Sequence, residues 1–518
     1  MAAPVTRTAP AWAAALAGAA GVGVALAVGE VLSALTRAVP SPIEAVGQQV
    51  IPVTPPGVVQ WAIATFGTND IAVLNGGTTV LALLIGVAAG LAARRRPLVA
   101  ALLFVAFAAA GLLATAVDGQ ANLLATAAVL IVAVATGLLT LRWLLASATP
   151  APAREDRSDG EPAIDRRRFL TATAGIGAAA VVAAATGRNV LRGSLAVVDP
   201  DQVALPEPAR ALPPPPETAS LDVSGISPLY TPNDRFYVID TAVRTPQIAP
   251  EDWSLRIHGM VGQEVVLTYD DLLASDLEEV DATIACVSNE VGGDLVGNAR
   301  WLGTRLDALL ERAGVQDGAE QILGRSSDGF TAGFPVEAAF DGRDALLAVG
   351  MNGAPLPTEH GFPARLIVPG LYGYVSATKW ITEIELTTWD VEGYWVPRGW
   401  AREGPIKTQS RIDVPSAGDQ VDGGAGEVVL AGVAYAPTRG VEAVEIRIDS
   451  GDWQEAELAE ALTDRTWVQW AARVALDVGE HAVEVRAIDA DGDTQPAGPA
   501  PPAPDGAEGY HRVSFRVA

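Results

Sequence analysis

The stretch TIACVSN, residues 283–289, is an apolar run typical of a β-strand, and it breaks into a loop rich in glycine. It carries Cys286, the only cysteine among 518 residues, so an intramolecular disulfide is excluded. A free cysteine is commonly a small buried hydrophobic residue, and a lone thiolate is also a natural ligand for a soft metal centre. The residues alone leave both interpretations of Cys286 open.

The pattern around this strand predicts two soluble domains. From about residue 226 to 405, short β-type runs alternate with helical stretches such as residues 306–313 and with loops rich in Gly, Asp and Pro, which predicts one mixed domain of the α+β class. From residue 411 to 518 the pattern changes to strands that recur at roughly 8–12 residues, separated by Gly or Asp turns. This second pattern predicts an immunoglobulin-like β-sandwich.

Residues 1–150 have the composition of a membrane domain, with only four acidic residues and six arginines. Four apolar stretches approach or exceed the roughly 20 residues that a spanning helix needs, at about 11–36, 70–93, 97–117 and 121–147. A fifth apolar stretch, residues 171–186, lies with a basic linker in 151–190. The sequence therefore predicts an N-terminal helical membrane domain with about five transmembrane helices.

The arginines predict the orientation of these helices. Arg94–Arg96 lie between the second and third helices, and Arg166–Arg168 lie before the fifth. By the positive-inside rule both loops are cytoplasmic, so the chain after about residue 190 is expected on the extracytoplasmic side of the cytoplasmic membrane. The segment RRRFL, residues 166–170, is either a twin-arginine export signal or an ordinary basic stop before a membrane helix. Residues 191–225 are rich in proline and predict an extended tether.

Charge and histidine content argue against some partners and cofactors. The net charge is −26, whereas binding of nucleic acid needs a basic face, so nucleic acid is not expected as a partner. The first histidine is His258 and there is no Cys-x-x-Cys-His motif, so no haem is expected in the membrane domain. If the protein is a redox enzyme, its electrons pass to an external partner such as a cytochrome or a membrane redox protein.

The region from residue 226 contains an ordered series of segments: LYTPN at 229–233, Phe236-Tyr237, WSLRIHG at 253–259, Cys286 with Asn289, GNARWLG at 297–303, MNGAPLP at 351–357, HGFPAR at 360–365, VPG at 368–370 and Lys379-Trp380. By this series, residues 226–518 resemble the sulfite oxidase family of molybdopterin-dependent oxidoreductases, in a membrane-anchored bacterial form. The β-sandwich is similar to the dimerisation domain of this family, which implies a homodimer.

The resemblance implies a molybdenum cofactor, in which molybdenum is bound to a pyranopterin (molybdopterin). Cys286 would bind the molybdenum beside the dithiolene of the pterin, and three basic side chains would hold the pterin phosphate, namely His360, Arg365 and Lys379. An arginine makes charge-assisted contacts to phosphate, and a lysine supplies a compact point charge. The resemblance also assigns to the cofactor site Phe236, Tyr237, Asn289, Gly373 and Ser376.

The chain departs from animal sulfite oxidases at two positions. Asp240 lies at or beside the position of an arginine that faces the anionic substrate, and Trp400 stands where those enzymes have a catalytic tyrosine. Arg398 is a candidate for binding the substrate anion from the other side, and Tyr394 is a candidate source of a hydroxyl group. The candidate catalytic residues are therefore Cys286, Asp240, Arg398 and Trp400.

The leading hypothesis is a membrane-anchored, extracytoplasmic molybdenum oxidoreductase that resembles sulfite oxidase and performs a two-electron oxygen-atom transfer on a small oxyanion. A sulfoxide reductase of the same superfamily is the first alternative, because Asp240 and Trp400 depart from the sulfite-oxidising pattern. The second alternative is a non-catalytic, membrane-tethered binding protein, which would have no need of Cys286, His360, Arg365 and Lys379 together.

Overall fold

The computed structural model describes residues 8–36, 39–66, 69–116, 122–149, 166–187, 198–242, 245–421 and 427–518. The chain divides into two compact units, and each is described by itself. The first unit extends to residue 197 and includes residues 242–244, and the second contains the rest of the chain from Val198. The predicted basic linker up to residue 165 and the first part of the predicted tether, residues 191–197, lie outside the described residues.

The N-terminal unit is helical. Its helices are α1 (Ala11–Ser33), α2 (Pro42–Val53), α3 (Pro56–Phe66), α4 (Asp70–Ala93), α5 (Pro97–Thr115), α6 (Leu123–Ala148) and α7 (Arg166–Thr186). Five of them, α1 and α4 to α7, are long and apolar enough to cross a membrane. This confirms the predicted five apolar helices. The helices α2 and α3 were not predicted, since each is shorter than the roughly 20 residues of a spanning helix.

Glycines allow two of these helices to pack closely. An ideal Cβ on Gly18 of α1 would lie 2.0 Å from the carbonyl oxygen of Gly86 on α4, and one on Gly90 would lie 1.9 Å from that of Ala14. Any side chain at these positions would push α1 and α4 apart. Small residues are usual where membrane helices touch, because they let the backbones approach.

The second unit begins with an α+β domain. Its helices are α8 (Tyr269–Leu273), α9 (Leu306–Ala313) and α10 (Gly373–Ser376). Its strands are β1 (Ser254–Gly259), β2 (Val265–Thr268), β3 (Leu277–Ala285), β4 (Val296–Arg305), β5 (Gln321–Ser326), β6 (Thr331–Pro335), β7 (Leu346–Met351), β8 (Ala354–Pro355), β9 (Arg365–Ile367) and β10 (Ile381–Thr387). One sheet has the order β2-β1-β10-β5-β6, and the other has β3-β4-β7-β8 with β9 paired to β7.

Strand β3 positions the cysteine. It runs antiparallel to β4, with Ala285 opposite Val296. The second half of β3 is buried at every residue, and the indole Nε1 of Trp301 on β4 donates a hydrogen bond to the carbonyl oxygen of Ala282 over 3.1 Å. Cys286 is the first residue after β3. The cysteine therefore follows a strand whose backbone is held by a buried neighbour.

The last part of the chain forms an all-β domain. Its strands are β11 (Gln409–Val414), β12 (Gln420–Val421), β13 (Val428–Tyr435), β14 (Val441–Ile448), β15 (Trp453–Glu455), β16 (Glu457–Leu458), β17 (Val468–Val474), β18 (Gly479–Asp489) and β19 (His511–Val517). They form two sheets, β11-β13-β17-β16 and β12-β19-β18-β14-β15. Apolar residues from both sheets form one buried cluster, in which Trp470 and Phe515 are fully buried. The prediction of a C-terminal β domain after an α+β domain is confirmed.

Candidate functional site

The loop from Cys286 to Leu295 is closed by hydrogen bonds at both ends. The amide of Cys286 donates to the carbonyl oxygen of Leu295 over 2.9 Å, and the amide of Asn289 donates to the carbonyl oxygen of Cys286 over 3.1 Å. The Asn289 side chain accepts a further bond from the Leu295 amide over 2.8 Å. Cys286 is 8% exposed, and burial raises the pKa of its thiol. A neighbouring cation is needed to hold this side chain as a thiolate.

In the described part of the chain, Cys286 is the one candidate metal ligand at this position, and it is not accompanied by a cluster of other ligating side chains. Among the residues that the structure describes, no group of three or more His, Cys, Asp or Glu side chains is arranged to hold a metal ion. Four ligands are usual for a structural metal in a protein. The sequence resemblance implies that the other ligands of a metal bound by Cys286 come from a cofactor.

Aromatic rings bring three of the predicted residues together near Cys286. Phe236 stacks on Tyr237 with ring centroids 5.3 Å apart, and it meets the ring of His360 edge-on at 5.7 Å. Gly297 on β4 makes room for this arrangement, because an ideal Cβ there would lie 2.6 Å from the phenyl ring of Phe236. Burial raises the pKa of Tyr237, and the nearby Cys286 raises it further. The aromatic pair thus contacts His360 through Phe236 and lies near Cys286 through Tyr237.

Arg365 is a buried cation. It is 5% exposed, and its guanidinium lies over the ring of Trp301, 5.4 Å from the centroid. Nη1 donates to the carbonyl oxygen of His360 over 3.1 Å and Nη2 to that of Ala377 over 3.4 Å, while Nε has no hydrogen-bond partner among the described residues. Burial lowers the pKa of Arg365 to about 10, and the neighbour that opposes this effect is Tyr237 rather than a carboxylate.

These features of Arg365 fit the phosphate end of the implied cofactor. A buried charge is costly without a partner, and a guanidinium presents N–H groups in a geometry that matches phosphate oxygens. The Nε group of Arg365 is buried and available for such a bond within the described part of the chain. The residues present are therefore compatible with an anion bound at this position.

Lys379 is the second buried cation of the site, and it is paired with Asp240. Lys379 Nζ donates to Asp240 Oδ2 over 2.6 Å and to the carbonyl oxygen of Glu359 over 2.9 Å. Burial lowers the pKa of Lys379, and Asp240 opposes this effect while Arg365 adds to it. The two cations therefore lie close enough to repel each other. Asp240 neutralises part of this charge, and its predicted position facing the substrate stays a prediction.

A second carboxylate near this pair was missed in the sequence. Burial raises the pKa of Asp328, and Asp240 raises it further whereas Lys379 lowers it. Its Oδ1 accepts a hydrogen bond from the amide of Phe330 over 3.1 Å. Asp328 belongs to a turn after β5, and nothing in the residues beside it distinguishes it from an ordinary turn aspartate.

His360 supports the segment that leads to the aromatic pair. Its Nε2 lies 2.9 Å from the carbonyl oxygen of Asn233, so this nitrogen carries a proton and donates. Burial lowers the pKa of His360, and the nearby Arg365 lowers it further, so the neutral ring is favoured. His360 thus satisfies a backbone group three residues before Phe236, and its direct contact with a phosphate stays a prediction.

The helix α10 brings Gly373 and Ser376 to the cysteine strand. An ideal Cβ on Gly373 would lie 3.8 Å from the carbonyl oxygen of Ala285, the residue before Cys286. The Ser376 hydroxyl is buried and bonds to the carbonyl oxygens of Leu371 (3.2 Å) and Tyr372 (3.0 Å). In this structure Ser376 stabilises its own turn, and the assignment of both residues to the cofactor stays a prediction.

Arg398 and Trp400 lie in an aromatic cluster. The Arg398 guanidinium lies 3.7 Å from the centroid of the Tyr394 ring and donates to the carbonyl oxygen of Tyr394. Trp400 meets Trp395 edge-on at 6.3 Å and lies 5.9 Å from the ring of Tyr374 in α10. The cluster therefore adjoins the cofactor residues through α10, and the catalytic roles of Arg398 and Trp400 stay predictions.

Two tyrosines of the site were also missed in the sequence. Burial raises the pKa of Tyr372, and the nearby Tyr435 and Cys286 raise it further. Tyr435 is the last residue of β13 in the all-β domain, and its hydroxyl lies 3.3 Å from Asn289 Nδ2. No local pattern identifies either residue, because their neighbours in the site lie far away along the chain.

Comparisons with known proteins agree with this arrangement. Residues 242–395 match the family described as "Oxidoreductase molybdopterin binding domain", and residues 404–514 match the "Mo-co oxidoreductase dimerisation domain". The chain is 30% identical over 319 residues to the mitochondrial sulfite oxidase of Drosophila melanogaster, covering 52% of this chain and 55% of that one. It is 29% identical over 320 residues to the human mitochondrial sulfite oxidase, covering 52% and 58%.

A shorter relative and a solved structure are also similar. The uncharacterized oxidoreductase YuiH of Bacillus subtilis (strain 168) is 34% identical over 152 residues, which cover 29% of this chain and 74% of the relative. The crystal structure of the sulfane dehydrogenase SoxCD from Paracoccus pantotrophus matches with a TM-score of 0.48 and 23% identity, over 57% of this chain and 84% of that one.

The chain spans little more than half of the length of the sulfite oxidases that it matches. The two matched domains nevertheless follow each other in the order that the sequence predicts, and they contain Cys286, Arg365 and Lys379 within the first. The predicted resemblance is confirmed: the chain belongs to the sulfite oxidase family of molybdopterin-dependent oxidoreductases.

Proposed function

We propose that this protein is a membrane-anchored molybdenum-cofactor oxidoreductase that performs a two-electron oxygen-atom transfer, with a sulfite-oxidase-like activity. The observation that carries the proposal is Arg365, whose buried guanidinium has one N–H group without a hydrogen-bond partner in the described residues. A buried charge of this kind is costly unless an anion binds beside it. The phosphate of a pyranopterin is an anion of suitable chemistry.

The cofactor, when bound, supplies a metal centre that exchanges an oxygen atom and two electrons with the substrate. Arg365 and Lys379 hold its phosphate by charge-assisted hydrogen bonds, and Asp240 limits the excess of positive charge. Cys286 serves as the thiolate ligand, because a metal cation favours the ionised thiol against the effect of burial. Phe236 packs beside His360 and restricts the access of water to the site.

A small oxyanion such as sulfite is the proposed substrate class. The similarity to the sulfite oxidases of Drosophila melanogaster and human supports this class. Arg398 supplies a positive charge at the aromatic cluster, and its contact with the Tyr394 ring holds it in place. We assign to Arg398 the binding of the substrate anion and to Trp400 the wall of the substrate pocket.

The second candidate function is reduction of a sulfoxide. It is favoured by the aromatic cluster itself, in which Trp395, Trp400 and Tyr374 form an apolar surface. A neutral sulfoxide gains more from aromatic packing than a hydrated anion does. Contact of the substrate with Arg398 therefore favours an anion such as sulfite, and contact with the indole rings favours a neutral sulfoxide.

Membrane attachment and orientation belong to the same proposal. The five apolar helices support attachment to the cytoplasmic membrane. The arginines between the helices support an α+β domain on the extracytoplasmic side, after export by the twin-arginine route. The matched dimerisation domain supports a homodimer, and an external cytochrome or membrane redox protein would exchange the electrons.

The testing experiment is metal and pterin analysis of the purified full-length protein, for wild type, Cys286→Ser and a matched control, Ala490→Ser, at an exposed position of the all-β domain. We expect about one molybdenum per chain, lowered or spectroscopically altered only by Cys286→Ser. Turnover of sulfite with an artificial electron acceptor, compared with turnover of sulfoxides with a reduced dye, then decides the direction. Absence of molybdenum, from cells known to make the cofactor, would leave a membrane-tethered binding protein.

A further inference from the structure

The Cys286 loop is held from outside the α+β domain by three side chains of the all-β domain. Tyr435, at the end of β13, has its hydroxyl 3.3 Å from Asn289 Nδ2, which donates to it. Arg411, on β11, donates from Nη1 to the carbonyl oxygen of Gly293 over 2.7 Å. His511, the first residue of β19, packs against Gly292. We call Arg411, Tyr435 and His511 the clasp.

The contact at His511 requires a residue without a side chain on the loop. An ideal Cβ on Gly292 would lie 2.2 Å from the imidazole ring of His511, and the Gly292 backbone has a φ of +78°. Only glycine adopts this conformation readily, and only glycine avoids the ring. The loop is therefore shaped to fit the surface of the all-β domain.

Two of the clasp residues, Arg411 and His511, make further hydrogen bonds that fix their side chains. Arg411 Nε donates to Asp413 Oδ1 over 2.7 Å, and its Nη2 donates to Ser227 Oγ over 2.7 Å. The Nδ1 atom of His511 accepts a hydrogen bond from the amide of Ile412 over 3.0 Å. A side chain whose own rotamer is fixed transmits its position to the group that it contacts.

The contacts lead directly to the cysteine. The Tyr435 hydroxyl accepts a hydrogen bond from Asn289 Nδ2. Oδ1 of the same side chain accepts one from the backbone N–H of Leu295 over 2.8 Å. The backbone of Asn289 donates to Cys286, and Cys286 donates to Leu295. Movement of Asn289 would therefore open the loop at the residue that carries the thiol.

We propose that the all-β domain is a positioning element of the cofactor site, because its clasp sets the orientation in which the Cys286 loop presents its thiol. This inference rests on the proposed function for the identity of the ligand that the thiol meets. The all-β domain, which matches the dimerisation domain, would then also have a function within a single chain. Tyr435 is a positioning residue that acts through Asn289.

The test uses the fact that Cys286 is the only cysteine, so that a thiol reagent reports on this loop alone. Full-length protein is prepared from cells that cannot make the molybdenum cofactor, and the rate of reaction with a disulfide reagent is measured for wild type and Tyr435→Phe. The matched control is Tyr510→Phe, which removes a hydroxyl from a tyrosine whose ring packs on Trp453 in the same domain.

We expect Tyr435→Phe to raise the rate of thiol modification about fivefold, as loss of one hydrogen bond allows, with Tyr510→Phe unchanged. In cofactor-loaded protein, Tyr435→Phe should shift the thiolate-to-metal absorption band and lower molybdenum retention. If Tyr435→Phe does not fold, the rate of thiol modification is measured for Arg411→Lys instead. This rate should also rise, because a lysine cannot reach Asp413, Ser227 and Gly293 at once. The inference would be overturned if the folded variants showed the wild-type rate of thiol modification and the wild-type absorption spectrum. Failure of the proposed function would have a different sign, namely wild-type protein that contains no molybdenum.

Discussion

Replacement of Arg365 by methionine tests two effects of the buried guanidinium separately. One is its cost in folding free energy, and the other is its contribution to cofactor binding. Because each pKa unit corresponds to about 1.4 kcal/mol, the lowering of the Arg365 pKa by burial to about 10 means that the fold disfavours the charged form by about 3 kcal/mol. This penalty is present throughout the neutral range, since it disappears only as the pH rises through the lowered pKa. Methionine has a similar length and carries no charge.

The substitution also removes favourable contacts. Two hydrogen bonds to carbonyl groups and the contact with Trp301 are worth about 1 kcal/mol each. Gain and loss nearly cancel, so the unfolding free energy of cofactor-free Arg365→Met should lie within about 1 kcal/mol of wild type. Binding of the phosphate loses a charge-assisted contact of about 1.5–3 kcal/mol, so affinity for the cofactor should fall roughly 10- to 100-fold.

The assay combines chemical denaturation of the full-length cofactor-free protein with its molybdenum content after loading. The matched control is Arg325→Met, an arginine of the same domain that is paired with Glu385 over 2.6 Å. We expect wild-type loading in this control. The reasoning about Arg365 is refuted if Arg365→Met retains the cofactor as wild type does, or if the cofactor-free variant loses more than about 3 kcal/mol, as an ordinary buried residue would.

Three further predictions follow from the site. Because burial lowers the pKa of His360, the unfolded chain binds a proton at this residue more readily than the folded chain does. The free energy of unfolding of the cofactor-free protein should therefore fall as the pH drops below about 6.5. Denaturation at several pH values should show a weaker pH dependence for His360→Gln. Asp240→Asn leaves the Lys379 ammonium buried without its carboxylate and should cost about 3 kcal/mol before the cofactor binds and less afterwards, measured by thermal unfolding with and without cofactor. Gly297→Ala forces a methyl group against Phe236 and should cost about 1–3 kcal/mol and lower cofactor retention.

Each of these changes has a control in the same unit. His258→Gln alters a half-buried histidine that lies 3.3 Å from Glu383, Asp505→Asn alters an exposed partner of Lys407, and Gly498→Ala adds a methyl group where no atom lies within 4 Å. A control that changed stability or loading as much as its test variant would contradict the corresponding argument. The argument about Asp240 would also be contradicted if Asp240→Asn cost the same stability with the cofactor as without it.

The sequence predicts several residues of the site, but it predicts neither their contacts nor the neighbouring Asp328, Tyr372 and Tyr435. Cys286, Arg365 and Lys379 stand in segments whose order along the chain is typical of the family, so their types and positions can be read without coordinates. The pairing of Lys379 with Asp240 joins residues 139 positions apart, and it assigns to Asp240 a neighbour that no spacing predicts. The roles of Arg398 and Trp400 depend on side-chain directions, which a sequence pattern does not contain.

The sequence by itself determined the five apolar helices, the order of the domains and the family, because each follows from neighbouring residues: a run of apolar side chains long enough for a membrane, the alternation along a strand, or a motif of fixed spacing. Only the tertiary structure decided that Arg365 lies buried over Trp301 without a carboxylate among the described residues, and that Tyr435 reaches Asn289 from 146 positions away. These facts depend on how two sheets of one domain and a strand of another pack together, and packing joins side chains that the chain itself keeps far apart.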